Sequence, residues 1–78
     1  MQTMKYVIIE KMGNEVPIIF PDFIEHDTFA DMKPISAGKF FWPYENTVIT
    51  THGKSTSLKL ESRPEDGSII RHALEFEV

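Results

Sequence analysis

Residues 5–20 read KYVIIEKMGNEVPIIF, two runs of strand-forming residues either side of a pair suited to reversal. Lys5 to Lys11 and Glu15 to Phe20 are rich in β-branched side chains, and Gly13-Asn14 between them tolerates the positive φ of a tight turn. The stretch predicts a hairpin. Tyr6 and Ile8 share one face of the first strand and Val7 and Ile9 the other, so this strand is apolar on both sides and belongs inside a sheet. Pro17 has no N–H for a ladder, which moves the second strand towards an edge or turns the missing N–H to solvent.

Beyond the hairpin, PDFIEHDTFADMKPISAG at residues 21–38 starts with a Pro21-Asp22 helix signal. Phe23, Ile24 and Phe29 can form one short apolar face there, and Pro34 ends the helical turn or two. Extended structure resumes in ISAGKFFW, where Gly38 marks a bulge or a close approach of another segment. Trp42-Pro43-Tyr44-Glu45-Asn46 reads as a turn into a strand over TVITT, and His52-Gly53 as a further hairpin turn. STSLKL alternates, with Thr56, Leu58 and Leu60 on one face, and predicts a half-buried strand.

The last quarter, SLKLESRPEDGSIIRHALEFEV, gathers Glu61, Arg63, Glu65, Asp66 and Arg71. The cluster reads as a helix start rather than a chemical site: Ser62 and Glu65 have capping-box spacing, Pro64 falls in the first turn, and Glu65 and Asp66 suit the helix dipole. Ile69, Ile70, Ala73 and Leu74 then make a stripe that can dock on a sheet. Gly67 costs this helix about 1 kcal/mol relative to Ala. EFEV fits either a last helical turn or a short terminal strand. The expected fold class is α+β: a small, mostly antiparallel sheet of about five strands, a short central helix, and a C-terminal helix packed on the sheet.

Seventy-eight residues, 41% of them hydrophobic and 26% charged, suit a single domain spanning residues 1–78. Residues 1 to 3 are expected to fray. Without cysteine the chain has no disulfides or thiolate metal sites to add stability. No leader pattern stands at the start, and the longest apolar runs are too short to span a bilayer, so the reading is cytoplasmic with no membrane partner. The net charge of -4 repels phosphate backbones, and Lys5, Lys11, Lys33, Lys39, Lys54 and Lys59 are dispersed, so nucleic acid is a disfavoured partner.

Candidate chemistry is sparse. Asp22 and His26 would share a helix face, but neither they nor His52 and His72 match a metal-ligand motif, and no nucleophile elbow or phosphate-cradling loop is present. The expectation is a non-enzyme with no catalytic residues, metal or cofactor. Ser55, Thr56 and Ser57 beside Thr50 and Thr51 read as the wet face of paired strands. The most unusual stretch is Phe40-Phe41-Trp42-Pro43-Tyr44. Consecutive aromatics on a strand point to both faces, so rings opposite the core are presented outward, which makes Phe40, Phe41, Trp42 and Tyr44 the candidate protein interface. Three functions follow in order: a protein-binding accessory domain, homodimeric in one version; an acidic nucleic-acid mimic using Glu61, Glu65, Asp66, Glu75 and Glu77; and a site built on His26 and neighbouring aspartates.

Taken together, VPIIFPDFIEH, ISAG and SLKLESRPED followed by a helix resemble short bacterial proteins of phage and mobile-element type, over most of the chain. The resemblance implies a small accessory protein with a host-directed binding role and implies no activity. KFFWPYENTV has no counterpart in that pattern.

Overall fold

The computed structural model describes residues 2–42 and 48–76. The hairpin is present: β1 (Gln2–Lys11) and β2 (Asn14–Pro21) pair antiparallel from Lys11↔Asn14 to Met4↔Pro21. Its turn is one residue earlier than expected. Met12 (φ 55) and Gly13 (φ 82) are the two left-handed residues, and Asn14 already belongs to the strand. β3 (Ser36–Trp42) pairs with the other side of β1, giving the order β2-β1-β3. β1 is thus central and β2 an edge, as the apolar pattern and Pro17 require. Gln2 and Thr3 do not fray as expected, since they pair with Trp42 and Phe41.

Among the described residues the sheet has three strands rather than about five. The expected strand over STSLKL is a hairpin of its own, β4 (Lys54–Ser55) and β5 (Leu60–Glu61), forming a separate two-stranded ribbon. Ser55 Oγ accepts the Leu58 N–H at 3.3 Å and Lys59 turns left-handed at φ 58, which bends the chain where alternation alone predicts extension. In TVITT the described residues 48–51 form no strand: Val48 stands in an isolated bridge, and a second one joins Lys39 to His52 just beyond. The expected turn over residues 43–46 lies outside the described residues. The central helix is a 3-10 helix, His26–Met32, closed by left-handed Lys33 before Pro34. The C-terminal helix, α1 (Asp66–Phe76), runs through Phe76, so the described part of EFEV is a last turn.

Both faces of the three-stranded sheet are covered. On one side Tyr6, Ile8 and Phe40 meet Ile49 and Ile70, with Ile69 and Leu74 of α1 packed against them. On the other, Val7, Ile9, Phe20 and Ala37 meet Ile24 and Phe29 around the 3-10 helix and Leu58 and Leu60 of the ribbon. The α1 stripe is therefore docked as its spacing predicts. Phe23 is not part of the apolar face expected of it, and stands 84% exposed.

Two glycines permit close approach. Gly38 is no bulge, because the β1–β3 register runs through it unbroken; a Cβ there would stand 2.8 Å from the His52 carbonyl oxygen and 3.1 Å from the Tyr6 hydroxyl. At Gly67 a Cβ would stand 1.9 Å from the Ile49 carbonyl oxygen. The glycine that weakens α1 by propensity is what lets the 49–51 segment lie against its first turn.

Candidate functional site

The helix start carries more than a cap. Asp66 is 0% exposed, and its carboxylate accepts three hydrogen bonds and makes a further ion-pair contact. Oδ2 takes the Tyr6 hydroxyl at 2.6 Å and the Arg63 backbone N–H at 2.9 Å; Oδ1 takes Arg63 Nε at 2.9 Å and Nη2 at 2.8 Å. Arg63 Nη2 also reaches Glu15 on β2 at 2.6 Å. Asp66, and not Glu65, is thus the acid that reaches back to the backbone, one position later than the Ser62–Glu65 box predicts. The network ties all three elements together: Tyr6 of β1, Glu15 of β2 and Asp66 of α1.

Its electrostatics suit structure better than chemistry. Burial, followed by the bond to Asp66, pushes the Tyr6 phenol well above its ordinary value, with Thr51 and Arg63 opposing. Burial lowers the Arg63 value, but its bonds to Glu15 and Asp66 outweigh that and raise it overall. A phenol held protonated and a carboxylate fully occupied by donors offer no free acid or base. Tyr6 gave a signal in the sequence, because a polar-tipped ring among buried aliphatics needs a partner for its hydroxyl. Which residue supplies that partner, 60 positions away, is a matter of tertiary packing.

The aromatic stretch divides by strand geometry. Phe40 faces α1 and is 1% exposed, inside the core with its ring 6.3 Å from that of Tyr6. Phe41 points to the opposite face, is 46% exposed and stacks on the His52 ring at 4.9 Å. Trp42 returns to the α1 side and is 40% exposed. Tyr44 lies outside the described residues. The four are therefore not one surface, and Phe40 contributes none. On the α1 side a cleft of about 280 Å³ opens at this end of the sheet, lined by Gln2, Met4, Ile19, Phe40, Trp42 and Leu74. Among the described residues its lining is almost wholly apolar, with Gln2 the only polar side chain beside the Trp42 indole.

Of the histidines, His26 is held in the packing of the sheet. His26 is buried, donates Nε2–H to the Gly38 carbonyl at 3.0 Å and lies edge-on to Phe20. Asp22, its expected neighbour, approaches Lys39 at 3.7 Å instead. Among the described residues no three His, Asp or Glu side chains converge to hold a metal, and no helix is long and apolar enough to cross a membrane. The hydroxyl cluster is not the wet face of paired strands: Thr51 Oγ1 donates to the Arg63 carbonyl at 3.2 Å, and Ser55 is buried.

Of the acidic residues, Asp66 and Glu15 pair with Arg63 and Glu75 pairs with Arg71 at 3.1 Å, while Glu61 lies on β5 and Glu65 just before α1; Glu77 lies outside the described residues. No family model, curated protein or solved structure matches the chain.

Proposed function

We propose that this protein is a non-catalytic binding domain that holds a partner protein at the aromatic end of its sheet. The observation that carries the reading is the apolar cleft of about 280 Å³ with Trp42 exposed at its rim. Clefts of apolar lining beside an aromatic anchor are where partner side chains find most of their binding energy. The ligand is an apolar side chain presented by another protein. In the narrower version that protein is a second copy of the chain, and in a mobile-element setting it is a host protein. The absence of catalysis is part of the proposal and draws support from the saturated Asp66 network and the carbonyl-bound His26. The acidic mimic has less support, because Asp66 and Glu75 are neutralised by arginines.

The chain has one tryptophan, so its emission reports directly on this cleft. Parent protein and Trp42→Ala serve as baits in the native host, and sedimentation equilibrium follows self-association of both. The expected result is a partner, or a second copy, retained by the parent and lost by the variant, with a blue shift of Trp42 emission as the purified partner is added to the parent. Equal retention by both baits, or binding that leaves Trp42 emission unmoved, refutes the proposal.

A further inference from the structure

The opposite face of the sheet holds a feature that the protein-binding reading does not use. Lys5 and Lys39 are direct cross-strand partners on β1 and β3, so both side chains rise from the same face, towards the ribbon. Like charges placed opposite one another weaken a sheet. Lys54, at the start of β4, completes a group of three lysines around a pocket of about 440 Å³, whose far wall is Ser55, Thr56 and Ser57. The residues converge from distant parts of a chain whose net charge is -4.

Lys5 is the most informative of them, since it is only 8% exposed. Its Nζ donates to the Ile24 carbonyl at 3.1 Å, which occupies one of the three protons of an ammonium. Burying an ammonium is costly unless charge compensates it. Among the described residues the compensation is thin: Glu25 is the one carboxylate in the lining, and Asp22 approaches Lys39 from outside it at a loose 3.7 Å. The deep wall is fixed by His26, whose Nε2–H is committed to Gly38, and by Ser55, whose hydroxyl receives the Leu58 N–H. A prearranged, hydroxyl-lined pocket with excess positive charge is complementary to an oxyanion.

We propose that Lys5, Lys39 and Lys54, with the hydroxyls of Thr56 and Ser57, form a binding pocket for a phosphate dianion, either free or as the terminal monoester of a small molecule. Ammonium groups act on phosphate as point charges and need no fixed fork, so three of them converging on one volume favour a compact dianion over a carboxylate. A single pocket on an acidic surface suits one terminal group and not a nucleic-acid backbone, which needs a row of cations. The site is separate from the aromatic cleft, and each proposal can fail without the other.

The test is a titration of the full chain with inorganic phosphate and, separately, with O-phosphoserine, ionic strength being held constant with sodium chloride. Amide chemical shifts and the melting temperature are followed for the parent, Lys39→Gln and Lys54→Ser. Phosphate stabilises folded proteins generally by exclusion from their surface, and the variants retain that effect. The expected result is saturable shifts confined to residues 54–57 and their neighbours around Lys5, Glu25 and Lys39. Affinity should fall at least tenfold in each variant, and the saturable part of the thermal shift should disappear. Lys39→Gln without ligand should melt no lower than the parent, because it relieves the Lys5–Lys39 repulsion, so lost binding cannot be ascribed to lost folding. Saturation by inorganic phosphate assigns the free ion, and saturation by the ester alone assigns a monoester. Shifts that are unsaturable, spread over the surface, or equal in parent and Lys54→Ser overturn the proposal.

Discussion

Asp66 is the side chain on which most of the polar order depends. Its burial is tolerable because both oxygens are met by donors, Oδ1 by the Arg63 guanidinium and Oδ2 by the Arg63 backbone and Tyr6. Removing one partner of such a pair leaves the other charge stranded, which costs about 3–5 kcal/mol. Asp66→Asn keeps the shape but turns an amide towards donors; chemical denaturation should show the unfolding free energy falling by that amount, through a lower midpoint at unchanged slope. Tyr6 adds a pH dependence whose sign is fixed. Its folded value lies above the unfolded value of about 10, so the native state holds the phenolic proton more tightly. That stabilisation is complete below about pH 10 and is lost as pH rises towards the folded value. The phenolate absorbance of Tyr6, isolated as the difference between parent and Tyr6→Phe, should therefore appear together with unfolding and not before it. Gly67 gives the sharpest reversal of a propensity rule. Gly→Ala inside a helix ordinarily stabilises by about 1 kcal/mol, yet here the added carbon would stand 1.9 Å from the Ile49 carbonyl oxygen. Gly67→Ala should cost about 3 kcal/mol, and a raised melting point would show that the 49–51 segment does not lie against α1.

Among the elements, those with a strong local pattern were readable and those made by side-chain competition were not. YVII gave the central strand and Pro17 the edge because burial on both faces and a missing N–H are properties of single positions. The α1 stripe followed from helical spacing for the same reason. STSLKL failed because a serine hydroxyl accepting a backbone N–H three residues on competes with the ladder, and alternation of Leu58 and Leu60 survives in a bent chain as well as in a straight one. The aromatic stretch was half legible. Alternation correctly separates Phe41 from Phe40 and Trp42, but which parity meets α1 depends on the β1–β3 register, and the Lys5–Lys39 juxtaposition is equally invisible until that register is known. The hairpin turn missed by one position, and the miss is itself testable. A two-residue loop with both φ positive prefers Asn-Gly, whereas here Met12 occupies the first position with its side chain 92% exposed. Nothing holds methionine there. Met12→Asn should recover about 1 kcal/mol of left-handed strain and raise the melting temperature by a few degrees, measurable by circular dichroism; an unchanged or lowered value would place the turn elsewhere.

For the molecule as a whole, a three-stranded sheet with cover on both faces is an unequal sandwich. The α1 side is closed by an eleven-residue helix that is tied to β1 and β2 through Asp66 and Arg63. The other side is closed by a 3-10 helix and by a ribbon whose strands are two residues each. Short ribbons are marginal by themselves, and the elements with the fewest cooperative bonds open first. Native-state hydrogen exchange in low denaturant should therefore separate the two faces: amides of Tyr6 to Ile9 should exchange only through global unfolding, while the Lys54–Glu61 amides should exchange through a smaller opening of lower free energy. The phosphate pocket spans that weak element and the rigid sheet, with Lys54 and the hydroxyls on one and Lys5 and Lys39 on the other. A ligand bridging them stabilises the closed form by mass action and leaves the opening of α1 untouched. Saturating inorganic phosphate should slow exchange at Ser55 to Leu60 severalfold more than at Ile69 to Leu74, and Lys54→Ser should abolish the difference. Uniform slowing along the chain would mean that phosphate acts on the solvent and not on the pocket.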